Sequence, residues 1–201
     1  MLMSLEVLLK QERSKKDYQE NAKAIYFNVK GLKRLTSTLL DLARIEQTQD
    51  INYHYFSVNE FLNYLSEKWQ SRALEKKITL VNHLDANNIF LRSNYELLII
   101  AVGNFIENAI KYSSPGSTID LSAIKNDDLK IIVEDRGVGM DDNDLASLGD
   151  VFFRSNSLPS EDMSYGLGFA QAKKIVKLLG GELSVGSTLG QGTKVVVSFN
   201  I

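Results

Sequence analysis

Apolar residues in the first quarter of the chain recur at the spacing of a helix. From Ala22 they stand at positions 22, 25, 29, 32, 39 and 43, with Thr36 in the same series and Leu35, Leu42 and Ile45 widening the stripe. Such a stripe needs a partner helix in water. Four leucines between positions 2 and 9 offer a shorter stripe, and polar residues 11–17 offer a turn. The pattern predicts a helical hairpin, buried either within one chain or in a four-helix bundle of two hairpins.

After residue 47 the pattern becomes that of a mixed domain. Ser57 with Glu60 forms a capping box that predicts a helix running toward Glu75. Ser93 with Glu96 forms a second, predicting a helix to about residue 112. Short apolar segments at 78–81 and 89–91 predict strands.

The part of the chain after residue 118 contains strands, turns and one helix. Apolar positions 119, 121 and 123 alternate with polar ones, and the turn at 126–128 leads into an apolar strand at 129–133. A helix over 169–179 stops at Gly180-Gly181, and strands at 182–185 and 194–199 follow. Helices segregated from mostly antiparallel strands predict an α+β fold, a two-layer α/β sandwich preceded by the helical hairpin.

Composition narrows the possible functions. The chain has 201 residues with a formal net charge of −2, so a nucleic-acid partner is not expected. It has no cysteine, which excludes disulfides, thiol catalysis and Cys-ligated zinc. Its longest apolar run, residues 97–102, is too short to cross a bilayer, so no membrane segment is expected.

One helix carries candidate chemistry. Asn104, Asn108 and Lys111 fall at i, i+4 and i+7 with Glu107 and Tyr112 alongside, opposite an apolar face. An amide oxygen is a suitable ligand for Mg²⁺, and a lysine can contact phosphate oxygens. On these residues alone an ordinary solvated helix face is the more frequent explanation.

Two glycine motifs follow. Asp135, after a buried strand, can accept a hydrogen bond from the adenine amino group, and guanine has no donor at the equivalent position. Gly137 and Gly139 would let backbone approach the planar base. Gly166 and Gly168 precede a helix, where free N–H groups favour an anion. The polar residues 141–165 between the motifs are typical of a mobile lid.

In order and spacing these motifs resemble those of the sensor histidine kinases, within the superfamily that includes gyrase, the heat-shock chaperone ATPase and the mismatch-repair ATPases. Residues 104–113 are similar to the asparagine box of that family, 135–140 and 166–170 to its two glycine boxes, 152–154 to its phenylalanine box and 192–193 to its last box. Residues 39–46 resemble the end of its dimerisation hairpin. The resemblance covers nearly the whole chain and implies a Bergerat-type ATP-binding fold.

The resemblance implies a role for each matching position. Asn108 would ligate Mg²⁺, Asn104 would support the phosphate–metal site, Lys111 would contact phosphate, Asp135 would recognise adenine, and Arg154 would reach the terminal phosphate. Catalysis would rest on Asn104, Lys111 and Arg154. The other implied nucleotide contacts are Tyr112, Gly137, Gly139, Met140, Phe153, Gly166, Leu167, Gly168, Phe169 and Thr193.

Several positions depart from the pattern of the family. Arg136 stands in place of an asparagine, Phe169 in place of a leucine and Ser164 in place of a glycine, while Gly149 and Val151 precede the phenylalanine pair. These departures concern the lid more than nucleotide binding. The hydrolysing ATPases carry glutamate at position 104 as a general base, and because Asn104 cannot take a proton, the resemblance favours phosphoryl transfer to a protein.

The chain has two histidines, His54 and His83, and neither lies in the hairpin. Both are predicted to be surface or structural residues. Residues 2–5 resemble the sequence directly after the histidine box of the family, which ends in a Thr-Pro-Leu-like run. The expected division is therefore a truncated dimerisation hairpin at 1–47, a connector at 48–56 and an ATP-binding catalytic domain at 57–201, without self-phosphorylation.

The resemblance implies an ATP- and Mg²⁺-dependent histidine kinase of a two-component system. Its implied partners are a response regulator receiver domain and a second copy of the chain, weakly dimerised through the hairpin. The implied location is the cytoplasmic side, with the full-length protein anchored in the bacterial cell membrane. Two alternatives remain: a nucleotide-binding dimerisation scaffold without catalysis, and an anti-sigma-factor-like serine kinase, against which the hairpin ending at residues 41–46 argues.

Overall fold

The computed structural model describes residues 14–47, 51–84, 87–148 and 167–200. The helices within these residues are α1 Lys15–Gln47, α2 Val58–Glu75, α3 Tyr95–Tyr112, α4 Asp142–Ala146 and α5 Leu167–Leu178. The strands are β1 His54–Ser57, β2 Thr79–His83, β3 Phe90–Ser93, β4 Thr118–Lys125, β5 Asp128–Asp135, β6 Glu182–Thr188 and β7 Gly192–Asn200.

The long helix α1 begins at a reciprocal cap. Ser14 Oγ accepts from the backbone N–H of Asp17, and Asp17 Oδ2 accepts from the backbone N–H of Ser14. The last residues of the predicted turn, Lys15 to Asp17, are therefore helical. The predicted stripe at positions 2–9 lies outside the described residues, as do the side chains at 32, 35, 39, 42, 43 and 45. Helix α1 lies against α5.

Five of the described strands form one sheet in the order β2-β4-β5-β7-β6. Only the β2/β4 pair in this sheet is parallel. Helices α2, α3 and α5 cover one face, where Ile119, Leu121 and Ala123 of β4 are buried as their alternation predicted. The predicted α+β two-layer sandwich is confirmed. Among the helices described, none is long and apolar enough to cross a membrane.

The two predicted helix starts have different outcomes. Ser57 caps α2 as expected, its hydroxyl accepting from the backbone N–H of Glu60. The cap of α3 was assigned one residue too early, because Asn94 Oδ1 accepts from the backbone N–H of Leu97 at 2.9 Å. Ser93 is instead the buried last residue of β3. Since both residue types favour the N-cap position, the local sequence does not separate them.

Strand β1 has no clear signal in the sequence. It pairs antiparallel with β3 in a separate two-stranded sheet, with Phe56 opposite Leu91. The last residues of the predicted connector, 54–56, therefore pair with a strand of the predicted catalytic domain. Strands β6 and β7 also extend beyond their predicted limits, to Thr188 and back to Gly192.

Candidate functional site

Helix α3 presents its polar residues on one side, as predicted. Leu98, Val102, Phe105 and Ala109 are buried in the core. Asn104, Asn108, Lys111 and Tyr112 are half-buried. The ammonium group of Lys111 lies 5.1 Å from the centre of the Tyr112 ring, a cation–π geometry. The helix thus holds two amides and one cation along the same edge of the domain.

Asp135 ends β5 with its carboxylate turned toward the helices. Its strand partner in β4 is the buried Ile119. Oδ1 accepts from the backbone N–H groups of Gly137 at 2.8 Å and Thr193 at 3.2 Å. Burial raises the pKa of Asp135, and these two N–H donors oppose that rise. Because no described residue donates to Oδ2, that oxygen remains able to accept a hydrogen bond from a ligand.

Backbone hydrogen bonds join the first glycine motif to two other predicted motifs. Val138 donates to the carbonyl of Tyr112 at the end of α3, and Gly190 of the β6–β7 turn donates to the carbonyl of Val138. The backbone N–H of Met140 donates to Ser187 Oγ at 2.9 Å. The same Ser187 oxygen lies 2.9 Å from Thr193 Oγ1. The asparagine helix, the first glycine motif and the last loop therefore meet around Asp135. Ser187 belongs to no motif, and no local sequence signal marks it.

The two glycines after Asp135 lie against backbone from other parts of the chain. A Cβ at Gly137 would come 2.5 Å from the Tyr112 carbonyl oxygen. Gly139 has φ +64°, and a Cβ there would overlap the Thr188 carbonyl oxygen. Close approach of neighbouring protein backbone therefore requires glycine at both positions.

The second glycine motif lies next to Asn104. Helix α5 starts at Leu167, two residues earlier than predicted, so Gly168 is in its first turn. A Cβ at Gly168 would come 2.6 Å from Asn104 Oδ1. The backbone N–H groups in the first turn of a helix have no partners within that helix. The first turn of α5 therefore places such donors beside the amide oxygen of Asn104 on α3, and both can contact an anion–metal pair.

Phe169, implied to contact the nucleotide, packs into the helix layer. Its ring lies 5.5 Å from that of Phe105, centre to centre. Gln171, two residues further along α5, is a buried polar residue that no motif indicated.

Part of the predicted site lies outside the described residues. This part comprises Phe152, Phe153, Arg154 and Gly166, together with the departures at Gly149, Val151 and Ser164. Within the described part of the lid, Asp141 caps the short helix α4.

Arg136, which departs from the family pattern, has its side chain on the other face of the sheet from that of Asp135. Its guanidinium is 3.6 Å from Asp120 Oδ2, and His83 Nε2 is 2.7 Å from Asp120 Oδ1. Asp120 follows the inward-facing Ile119, so its side chain points to the opposite face. Arg136 is thereby held away from the carboxylate of Asp135. His83 and His54 are both exposed, as expected.

Comparison with known proteins identifies the family. The model of the histidine kinase-, DNA gyrase B- and HSP90-like ATPase family matches residues 93–201, more than half of the chain. The chain belongs to this ATPase family. The match contains the Asn104 helix, both glycine motifs and the last loop, so the implied superfamily is confirmed.

Curated proteins that are similar in sequence to this chain include sensor kinases. It is 30% identical over 200 residues to the heme sensor protein HssS of Staphylococcus saprophyticus, covering 98% of this chain and 42% of that protein. It is 30% identical over 173 residues to the sensor histidine kinase RppB of Synechocystis, covering 85% and 38%. The chain therefore spans less than half the length of these relatives.

Solved structures support the fold. Full-length ShkA in complex with AMPPNP superposes with a TM-score of 0.73 at 21% identity, covering 94% of this chain and 39% of that one. The histidine kinase AdeS of Acinetobacter baumannii gives 0.70 at 19% identity, covering 94% and 86%. The agreement confirms the ATPase-domain fold with its preceding helix.

Proposed function

We propose that this chain binds Mg-ATP and supplies the phosphodonor half of a histidine kinase reaction. The observation that carries the proposal is the convergence of three motifs on Asp135, whose Oδ1 is held by two backbone donors while no described residue donates to Oδ2. An adenine amino group is a suitable donor for that oxygen. At the other end of the site, Asn104 and the first turn of α5 offer an amide oxygen and N–H groups for phosphates.

Adenine recognition is tested by Asp135→Asn. The asparagine keeps an oxygen that can accept from Gly137 and Thr193, but it replaces Oδ2 by an amide that donates. Because a charge-assisted hydrogen bond contributes roughly 1.5–3 kcal/mol, we expect ATP to bind about tenfold or more weakly. Calorimetric titration with ATP measures the loss. Unchanged affinity would remove Asp135 from the adenine site.

The matched control is Glu134→Gln on the same strand. Glu134 pairs with Lys194 at 2.9 Å on the opposite face of the sheet, so ATP affinity should not change.

The pH dependence of stability and of ATP affinity provides a second check on Asp135. Burial raises the pKa of Asp135, so ionising it destabilises the nucleotide-free fold as pH rises through that pKa, and Asp135→Asn removes this destabilisation. ATP affinity should weaken as the pH falls through the same pKa, and the variant should lack that dependence.

The metal site would be built from amide oxygens. Within the described residues no group of three His, Cys, Asp or Glu side chains could hold a metal ion. The amide oxygens of Asn108 and Asn104 are of the hard type that Mg²⁺ prefers, and the phosphates of the nucleotide would complete the ligand set. When bound, Mg²⁺ neutralises phosphate charge. Lys111 and Arg154 would add positive charge and position the terminal phosphate.

Asn108→Ala tests the metal assignment. If Asn108 holds the ion, the variant should lose the advantage that Mg²⁺ gives to ATP binding, because an alanine methyl cannot ligate it. Adenosine affinity should stay nearly unchanged. Paired titrations of ATP with and without Mg²⁺, and of adenosine, measure this. Asn126→Ala in the exposed β4–β5 turn is the control, and equal losses for ATP and adenosine would mean that Asn108 supports the fold.

By analogy with its sensor-kinase relatives, we extend the proposal to the complete transfer reaction. Transfer would run from the terminal phosphate of ATP to a histidine nitrogen on a dimerisation hairpin, and from there to a response regulator. Residues 1–47 would form part of that hairpin and pair with a second copy, residues 48–56 would connect it, and residues 57–201 would form the ATP-binding domain. The location would be the cytoplasmic side of a membrane-anchored sensor.

A further inference from the structure

Gln171 is the one polar side chain among the buried residues of α5. It lies on α5 against α3 and is only 6% exposed. Its neighbours Ala170 and Ala172 are also buried. A buried carboxamide must find hydrogen-bond partners, since leaving it unpaired is destabilising. Its Oε1 lies 3.5 Å from Asn104 Nδ2, a long hydrogen bond that joins α5 to α3.

The Asn104 amide has two acceptors on the same side. Nδ2 donates to the backbone carbonyl of Ile100 at 2.9 Å and to Gln171 Oε1. Turning the carboxamide over would place Oδ1 against both of these oxygens. The orientation with Nδ2 on this side is therefore favoured by two independent contacts.

This orientation directs the other end of the carboxamide to the second glycine motif. Oδ1 of Asn104 lies so close to Gly168 that a Cβ there would be 2.6 Å from it. The oxygen thus faces the first turn of α5, where the proposed function locates the phosphates of ATP.

We propose that Gln171 is a positioning residue that holds the Asn104 carboxamide with its oxygen facing the phosphate–metal site. This positioning role rests on the proposed function, which locates the phosphate–metal site at Asn104 and Gly168. The contact with Ile100 is local to α3 and would persist wherever α5 moved. The contact with Gln171 adds a tie between helices, so that Asn104 and the glycine motif keep one relative geometry.

Gln171→Met tests the role of Gln171, since methionine has a similar shape but no acceptor of this strength. Losing one hydrogen bond should weaken Mg-ATP binding about three- to tenfold, while adenosine affinity stays unchanged. Lys177→Met, exposed on the same helix, is the matched control and should bind both ligands normally. Equal losses for Mg-ATP and adenosine in Gln171→Met would overturn the proposal.

A double-mutant cycle separates positioning from packing. If Gln171 acts through Asn104, adding Gln171→Met to Asn104→Ala should change Mg-ATP affinity by less than about twofold. A packing role would give the full loss in both backgrounds, and that result would also overturn the proposal.

The contact can also be measured without any variant or nucleotide. In the wild-type chain, NMR should show the Asn104 side-chain NH₂ protons slow to exchange with water and close to Gln171. Fast exchange with no Gln171 contact would overturn the positioning role. Failure of the wild-type chain to bind Mg-ATP would instead reject the proposed function, so the two failures are distinguishable.

Discussion

Replacing Gly139 by alanine should lower the free energy of unfolding by roughly 3 kcal/mol or more, one of the largest single-residue effects in this domain. Gly139 has φ +64°, and the added Cβ would overlap the Thr188 carbonyl oxygen of β6. That oxygen belongs to backbone, which cannot move aside like the end of a flexible side chain. Relief requires a shift of the first glycine motif, which bonds Asp135 through Gly137, or of the end of β6, which pairs with the start of β7 beside Thr193. Urea unfolding followed by circular dichroism measures the loss.

Gly186→Ala is the matched control. Gly186 lies on β6 with no positive φ, and a Cβ there would meet nothing within 4 Å. We expect its unfolding midpoint to stay close to that of the parent chain. In Gly139→Ala, ATP affinity should fall with stability, because the hydrogen bonds that hold Asp135 depend on the same segment. A Gly139→Ala variant as stable as Gly186→Ala would show that this segment moves more freely than its contacts indicate.

The fold class could be predicted because most elements carry local signals. The alternation in β4, the apolar β5 and the Gly180-Gly181 stop are all confirmed. Strand β1 could not be predicted, since a four-residue strand is defined by its pairing with β3, and the sequence gives no local sign of that pairing. The parallel pairing of β2 with β4 likewise depends on tertiary structure and has no local signal in the sequence.

For the site, motif order predicted which segments meet but not how they are held together. Asp135, the Asn104 helix and the last loop do converge, as their resemblance implied. Ser187 and Gln171 carry hydrogen bonds in that arrangement, yet serine in a strand and glutamine in a helix are ordinary in any sequence. The reason for glycine at 137 and 139 was also hidden, because it depends on backbone from distant parts of the chain.

The two histidines lie in places unsuited to receive phosphate from this site. His83 bonds to Asp120 on the face of the sheet opposite the carboxylate of Asp135. His54 starts β1, in the separate two-stranded sheet with β3. The rest of the chain, including residues 1–47, contains no histidine. The proposed site would therefore bind ATP, while residues 1–47 contain no histidine that could accept its phosphate.

We accordingly expect this chain, incubated with Mg²⁺ and ATP labelled at the terminal phosphate, to bind nucleotide without labelling itself. Transfer breaks the bond between the terminal phosphorus and the ADP oxygen and forms a phosphorus–nitrogen bond to imidazole, so it needs a histidine aligned with that phosphate. Adding a separate hairpin that contains such a histidine should produce label on the hairpin wherever the two can dock. Gel autoradiography with acid treatment, which removes phosphohistidine, measures both.

His54→Gln and His83→Gln are the controls for this experiment. Neither should alter ATP binding or transfer to the added hairpin, because His54 and His83 lie outside the proposed site. Stoichiometric, acid-labile labelling of the chain alone would contradict the expectation, and loss of that label in one variant would identify the acceptor. ATP binding with no transfer to any hairpin would instead favour a nucleotide-binding scaffold, because the Asn104 and Asp135 regions would then hold ATP without positioning its terminal phosphate for attack.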